Sequence, residues 1–387
     1  NFTMSDTELK IGDNATVTLV FSEAVIDFAS ADDITVPNGS LSTMTSDDNR
    51  TWTGTFTPTD DREDDSNTLS LANNSYTDPA GNNGPDNQTA NYEVDTREPT
   101  VSVAVTSAAG RQTHNGYGFV NEGDNVSVTA TFSESVIVDN SSGNPTLTIV
   151  VGSDNRTATY ASGDNSTQLV FQYTIQSGET DSNGISIGAN ALALNSSTIR
   201  DAALNNAILT HSQWSDNYAY IVDNTPPTVS SVAITTTTYK QNNFLNADDV
   251  VTVKATFNEA FPSSVIVDNS SGAATLTLDV HGTDRPAAYH SGDNTTPSSV
   301  NDNSSLVFKY TIKANGTSGE NDPNGISIVA NAINSNSITI RDAAGNIATD
   351  LTHDAVLDNS SYKVDTTLPT VDNFTMSDTE LKIGDNA

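Results

Sequence analysis

Acidic and amide side chains recur in three short signatures that could bind a divalent cation. The first signature is Phe-x-Glu, and the second is Asp-x-Ala-x-Asn. The third is the aspartate of a Tyr-x-Val-Asp segment that is followed by Pro-Thr-Val. Calcium prefers such oxygen ligands and takes about six to eight of them in flexible geometry. The residues are Glu23, Glu134 and Glu259; Asp78, Asn82, Asp201, Asn205, Asp342 and Asn346; and Asp95, Asp223 and Asp365.

The spacing of these signatures indicates repeated units. Residues 1–15 return unchanged at 373–387, so the sequence repeats with a period of 372 residues. The simplest interpretation is one super-repeat of a longer array. Asp95 and Asp223 are 128 residues apart, and Asp223 and Asp365 are 142 apart, which are sizes of domains rather than of solenoid turns. The expected domains are 1–95, 96–223 and 224–365, with the first strand of the next repeat copy at 366–387.

Alternating hydrophobic residues predict the elements that carry the signatures. Val17, Leu19 and Phe21 are separated by polar or smaller residues, and similar alternation occurs at 126–132 and 251–257. A period of two predicts strands that bury one face, and no stretch shows a helical period. Several short strands per unit predict an all-β fold of tandem Ig-like β-sandwich domains in a linear array.

Several motifs are similar to those of known families. The first unit contains FSEAV, a Trp-x-Gly-x-Phe strand and TDPAGN, and it resembles the bacterial Ig-like domains of giant cell-surface adhesins. The other two units share NGISI and IRDAA, and they look like the repeats named for a cyanobacterial swimming-motility cell-surface protein. These resemblances imply a spacer that carries an adhesive tip away from a cell, often rigidified by calcium.

An Ig-like topology would bring the signatures together at the poles of the domains. In such a topology, the first strand (A) leaves the amino-terminal pole of the domain, and the second strand (B), which ends in Phe-x-Glu, returns to it. The linker that enters the domain carries the Tyr-x-Val-Asp aspartate and lies at the same pole, as does the turn before the last strand, which carries Asp-x-Ala-x-Asn. Neighbouring carboxylates repel each other, and a hard cation resolves that conflict. The alternative is that Asp-x-Ala-x-Asn is only a turn whose side chains cap their own backbone. The first predicted calcium site contains Asp95, Glu134, Asp201 and Asn205, and the second contains Asp223, Glu259, Asp342 and Asn346. Glu23, Asp78, Asn82 and Asp365 are the remaining predicted ligands.

A weaker metal candidate lies elsewhere in the second unit. Glu179, Asp181 and Asn183 are followed by glycine, as at the start of an EF-hand loop, and 320–325 repeats this pattern. The glutamate expected at position 12 is missing in both copies. A polar turn explains the pattern equally well.

No catalytic constellation is evident, and we expect no enzymatic activity. The segment 184–188 matches the nucleophile elbow Gly-x-Ser-x-Gly, but it lies in an alternating strand pattern rather than between a strand and a helix. The five histidines show no metal-binding spacing and are not expected to recur between units.

The composition excludes further classes of function. The chain has 49 acidic and 15 basic residues, a net charge of −34, which repels nucleic acid. It has no cysteine, and no stretch approaches the length of apolar sequence that spans a membrane. We expect an extracellular spacer at a cell surface, with further copies of the repeat as neighbours in the chain. The alternative is the subunit of a filament or sheath that assembles by strand or edge pairing. Seventeen Asn-x-Ser/Thr sequons also make N-glycans a hypothesis.

Overall fold

The protein is described by a computed structural model that divides into two compact units. The first unit contains residues 1–110 and 122–221, and the second contains 111–121 and 222–387. The predicted all-β fold is confirmed: besides strands, the described residues form one four-residue α-helix and one 3-10 turn. No helix in this part of the chain is long and apolar enough to cross a membrane. The described residues are 1–259, 262–268, 272–292, 304–314, 320–336, 338–377, 379–380 and 382–386.

Residues 1–95 form a small sandwich of short sheets. The strand orders are β1-β3-β6-β5, β2-β10-β7 and β4-β8-β9. Its core contains Leu19, Phe56 and Tyr92, all nearly inaccessible to solvent. The sequence does not predict the helix α1, because a single turn is too short to produce a helical period. The elements are β1 (Phe2–Met4), β2 (Glu8–Leu9), β3 (Ala15–Val20), α1 (Ser30–Asp33), β4 (Ile34–Thr35), β5 (Gly39–Leu41), β6 (Thr51–Pro58), β7 (Glu63–Asn67), β8 (Ser70–Leu71), β9 (Asn87–Gln88) and β10 (Tyr92–Asp95).

The next segment is built on a larger sheet. Its strands are β11 (Val101–Ala109), β12 (Gln112–His114), β13 (Tyr117–Val120), β14 (Asn125–Asp139), β15 (Thr146–Val151), β16 (Asp154–Ser162), β17 (Ser166–Thr174), β18 (Thr180–Asp181), β19 (Leu192–Ala193), β20 (Thr198–Arg200) and β21 (Ile221–Asp223). In the first unit the sheet order is β11-β14-β17-β16-β15-β19, and β20 pairs with β14. The 3-10 turn covers Tyr218–Tyr220, and β12 and β13 form a hairpin within the second unit.

The remaining strands repeat this arrangement. They are β22 (Val229–Thr237), β23 (Phe244–Leu245), β24 (Val250–Phe257), β25 (Ile266–Asp268), β26 (Thr275–Val280), β27 (Thr283–Gly292), β28 (Ser305–Thr311), β29 (Asn321–Asp322), β30 (Ser327–Asn334), β31 (Thr339–Arg341) and β32 (Lys363–Asp365). The main sheet has the order β22-β24-β28-β27-β26-β30, and β25 pairs with β31. Val101 pairs with Phe132, and Val229 pairs with Phe257, so the first two strands of both sheets have the same starting register.

Two parts of the fold differ from the sequence-based expectation. Glu134 was expected where strand B ends, but β14 continues past it to Asp139. The pairing of β14 with β17 shifts register between Thr131 and Val136, and such an irregularity redirects the side chains within it. The segment 366–387 is the expected first strand of the next repeat copy, but its described residues form no strand. The identical segment near the start of the chain forms β1 by pairing with Val17, Thr18 and Leu19 of β3, which lie outside the 15 residues that the two segments share.

Candidate metal centres

The first predicted site is a cluster of three carboxylates in the first unit. Asp95 is the last residue of β10, Glu134 lies in the irregular part of β14, and Asp201 begins the turn after β20. One carboxylate oxygen of each residue lies within 4.8 Å of one from both others. Asp201 is only 1% exposed, whereas Asp95 and Glu134 are half-buried. Three segments that are distant in sequence therefore meet through their acidic side chains.

The local electrostatics disfavour three negative charges in this cluster. Burial, reinforced by the charges of Asp95, Asp201 and Glu63, raises the pKa of Glu134 to about 7. Burial also raises the pKa of Asp95. Arg97 acts in the opposite direction on both groups, but its guanidinium pairs with Glu63 at 3.7 Å. Near neutral pH, a bound cation would relieve a repulsion that the protein's own side chains leave in place.

Asn205 organises the first cluster by hydrogen bonds. Its main-chain N–H and its side-chain Nδ2 donate to the two carboxylate oxygens of Asp201, both at 2.8 Å. Nδ2 also donates to the main-chain oxygen of Asp95 at 2.9 Å, and Oδ1 accepts from the N–H of Ile11 at 3.0 Å. Asn205 thus links the turn, the linker and the loop after β2. Its use as a metal ligand stays a prediction, because Oδ1 already accepts a hydrogen bond.

The second unit contains an equivalent cluster. Carboxylate oxygens of Asp223, Glu259 and Asp342 lie within 4.8 Å of one another, and Asp342 is fully buried. Burial raises the pKa of all three groups, to about 7 for Glu259 and about 6 for Asp342. The charge of Asp223 further raises the pKa of Glu259 and that of Asp342. The same chemistry is therefore built twice, once in each unit.

The asparagine of the second cluster makes the same set of contacts. Asn346 donates through its main-chain N–H and Nδ2 to the carboxylate of Asp342, at 2.8 and 2.7 Å. Nδ2 also donates to the main-chain oxygen of Asp223 at 2.7 Å. Its Oδ1 accepts from Asn121 at 3.3 Å, in the position that the Ile11 N–H takes in the first cluster. The alternative interpretation of a self-capping turn is therefore correct for the Asp–Asn pair, and the pair also holds the linker.

A clamp beside each cluster was missed by the sequence analysis. The middle residue of Phe-x-Glu bonds the linker threonine twice: the N–H of Thr100 donates to Ser133 Oγ at 3.0 Å, and the N–H of Ser133 donates to the oxygen of Thr100 at 2.9 Å. Asn258 and Thr228 form the same pair at 2.8 and 3.0 Å. The signal was present in the sequence, because this middle residue is serine or asparagine in all three copies of the motif.

The remaining predicted ligands do not form a third cluster within the described residues. Glu23 is exposed, and Asp78 is half-buried and bonded to Asn82 by the same two contacts, at 2.9 and 2.7 Å. Asp365 ends β32, and its carboxylate accepts from the N–H of Thr367 at 2.9 Å. Within the described residues, Glu23 and Asp78 therefore do not belong to a group of three carboxylates.

The weaker metal candidate is occupied by protein contacts. Glu179 pairs with Arg156, accepts from the hydroxyl of Tyr173 at 2.5 Å and accepts from the N–H of Gln176 at 2.8 Å. Asp181 accepts from main-chain N–H groups at 2.8 and 3.0 Å. The repeated pattern at 320–325 is used in the same way, with Arg285 Nε 2.5 Å from Glu320 Oε1. The interpretation of a structural polar turn accounts for both copies.

The expectation that no histidine recurs between units was wrong. In His211 and His353, Nε2 accepts a main-chain N–H, from Ala191 and Ala332 respectively, at 2.8 Å. In both rings Nδ1 lies 2.8 Å from the main-chain oxygen of the next residue. Both histidines end a Leu-Thr-His segment, a short signal that lies among residues that differ between the two copies. Their contacts are structural.

The donor set of the two clusters fits calcium. Each supplies three carboxylates and no nitrogen or sulfur ligand, the set that a hard cation prefers. Asp201 and Asp342 are buried and fixed by their asparagines, so their oxygens are already in place. Calcium needs more oxygens than three monodentate carboxylates provide, so bidentate coordination or water would complete the shell.

Comparison with known proteins identifies one part of the chain. Residues 1–94 match the family of bacterial Ig-like domains, which confirms the bacterial Ig-like resemblance of the segment 1–95. Such domains are typical of surface proteins. No curated protein is significantly similar to the chain.

Solved structures give only weak similarity. The complex of Dpr2 Ig1-Ig2 with DIP-Theta Ig1-Ig3 is 10% identical, with 94% of this chain and 98% of that chain covered and a TM-score of 0.23. Dimeric latent PorU from Porphyromonas gingivalis is 13% identical, with 76% of this chain and 26% of that chain covered and a TM-score of 0.17. At these TM-scores, neither similarity supports a structural or functional argument.

Proposed function

We propose that this chain is a spacer region of a repetitive extracellular surface protein, and that calcium at the carboxylate clusters stiffens its linkers. The observation that carries the proposal is the duplicated triad, in which a linker aspartate meets two acidic residues of the domain that follows it. A metal bound there would fix the linker to that domain. The bacterial Ig-like match of residues 1–94 supports the surface location.

The expected size of the calcium effect suits stiffening rather than folding. Extracellular calcium modules bind at about 10⁻⁴–10⁻³ M, and calcium at about ten to a hundred times that constant adds roughly 1.4–2.7 kcal/mol per site. The domains also have extensive apolar cores of their own. The metal would therefore limit bending at the linkers of domains that fold without it.

Small-angle scattering tests this function. The chain should have a larger radius of gyration in millimolar calcium than in EDTA. The double variant Glu134→Gln/Glu259→Gln should have one value in both conditions. An unchanged radius of gyration for the wild-type chain on chelation would refute the stiffening role.

A second candidate function is the repeating subunit of an extracellular filament. The repeated 15-residue segment supports it, because 373–387 is identical to residues 1–15 and could therefore pair with β3 of another copy as β1 does. Electron micrographs of native material would show a helical lattice if this candidate is correct.

A further inference from the structure

An exposed turn of the first unit carries one of the Asn-x-Ser/Thr sequons. The sequon Asn165-Ser166-Thr167 lies where β16 turns into β17, and both its asparagine and its threonine are exposed. Asn165 has a φ of +56°, a left-handed conformation that asparagine adopts readily in tight turns. Sequons of this kind are the acceptors of N-linked glycans in secreted proteins. The turn therefore presents a complete acceptor to solvent.

The neighbours of the asparagine hold this turn together. The carboxylate of Asp164 accepts the N–H of Val138 at 2.8 Å, and the Ser166 hydroxyl donates to a main-chain oxygen of the same turn at 2.7 Å. The side chains of Asn165 and Thr167 form no hydrogen bond with the other described residues. A glycan on Asn165 would therefore extend into solvent without breaking a contact that the fold uses.

Another sequon of the same sheet shows the opposite arrangement. Asn195 Nδ2, the atom that would carry a sugar, donates to the main-chain oxygen of Asn144 at 3.3 Å and to Thr146 Oγ1 at 2.7 Å. The hydroxyl residue of this sequon, Ser197, is only 4% exposed. A glycan there would remove both hydrogen bonds of the amide. The fold therefore distinguishes Asn165, which is open to modification, from Asn195, which is a structural residue.

The position of the open sequon recurs along the chain. Asp-Asn-x-Ser/Thr also occurs as Asp-Asn49-Arg-Thr51 and as Asp-Asn303-Ser-Ser305. Thr51 and Ser305 begin β6 and β28, which pair with strand B of their domains as β17 pairs with β14. Asn303 lies outside the described residues. The same acceptor thus precedes the same strand three times, including once in the segment 1–95, whose sequence is otherwise different.

We infer that Asn165 carries an N-linked glycan. The sugar would come from a polyprenyl diphosphate donor: Asn165 Nδ2 bonds to the anomeric carbon, the bond from that carbon to the diphosphate oxygen breaks, and the diphosphate leaves with the electron pair. The amide nitrogen gives one proton to a base of the transferring enzyme. This inference rests on the extracellular location in the proposed function, but it does not depend on calcium.

Mass spectrometry of the full chain purified from its native host tests the inference. Trypsin should release residues 157–200 as one peptide, bounded by Arg156 and Arg200, so that the test sequon and the structural sequon are measured together. The peptide should be heavier than its amino-acid mass by one or more sugar residues. Electron-transfer fragmentation, which leaves glycans attached, should place the added mass on Asn165 and none on Asn195.

Two variants of the exposed threonine provide a matched pair. Thr167→Val keeps the size and strand propensity of the side chain but removes the hydroxyl that the acceptor requires, so the added mass should be lost. Thr167→Ser keeps the hydroxyl and should retain the mass. Added mass on Asn195, or added mass that persists in Thr167→Val, would overturn the inference.

Protease treatment of intact cells separates this inference from the proposed function. A chain that is cleaved at the cell surface but has an unmodified Asn165 would overturn the inference and leave the spacer function in place. A chain that is protected inside the cell and unmodified would overturn both.

Discussion

Calcium binding at the first cluster should release protons, and the number follows from Glu134. Burial and neighbouring carboxylates raise its pKa to about 7. At pH 7 the free carboxyl is therefore half protonated, and a metal that requires the carboxylate displaces about 0.5 proton per ion. From pH 7.5 to pH 5.5, one group with this pKa weakens calcium binding about 25-fold.

Isothermal titration calorimetry measures both quantities. The Glu259→Gln variant isolates the first cluster by removing a ligand of the second. Titrations in buffers of different ionisation enthalpy give the proton count, and titrations across the pH range give the change in affinity. Glu134→Gln in the same background should lose proton release and most calcium affinity. Glu93→Gln is the matched control, because Glu93 is exposed on β10 and outside the cluster.

The same substitution should have the opposite effect when calcium is absent. The pKa of Glu134 is about 7 in the folded state and 4.5 in its ordinary state, so its ionisation lowers stability as the pH rises through this interval. The difference corresponds to about 3 kcal/mol at most, and to about 1–2 kcal/mol after solvent screening of a half-buried group. Glu134→Gln in EDTA at pH 7.5 should raise the free energy of unfolding by this amount. Calcium binding without proton release, or destabilisation by Glu134→Gln in EDTA, would refute the reasoning.

Three further substitutions test structural contacts that lie outside the two carboxylate clusters. Glu320→Gln should cost about 3–5 kcal/mol in urea unfolding, because it leaves Arg285 beside a buried site without its charge partner, and an unchanged midpoint would contradict this. His211→Phe should cost about 1–3 kcal/mol because the N–H of Ala191 loses its acceptor, and a wild-type melting curve would argue against that bond. Gly325→Ala should cost at least about 1–3 kcal/mol, since Gly325 has a φ of +102° and an added Cβ would lie 1.9 Å from a main-chain oxygen; full retention of stability would show that this turn adapts.

The sequence was sufficient to predict the class of fold and the convergence of the acids. Alternation such as Val126, Val128, Ala130 and Phe132 identifies strands, because burial on one face of a sheet has no other common cause. The three acidic signatures then converge because an Ig-like topology returns strand B to the linker. Both triads contain the carboxylates chosen from the sequence.

The roles of individual residues depended on geometry that a linear pattern does not contain. Asn205 is a predicted calcium ligand because an amide oxygen suits calcium, and no sequence pattern shows that this oxygen also accepts the N–H of Ile11, 194 residues away. Glu179 carried the spacing of a metal loop, yet Arg156 from a neighbouring strand neutralises it. Sequence spacing identifies which chemical groups recur, whereas their partners come from other strands and loops that the spacing does not reveal.

The hydrogen bonds and the charges of each cluster have separable consequences. Asn205 and Asn346 hold the linker carbonyls without any metal, so the linker position is fixed by neutral donors. The three carboxylates add a repulsion that grows as Glu134 and Glu259 ionise near neutral pH. Without calcium, the clusters should therefore weaken a linker that remains correctly placed, and with calcium the same groups should hold it firmly. If the proposed function is correct, the stiffness of the linkers would depend on the surrounding calcium concentration, whereas the fold of each domain would not.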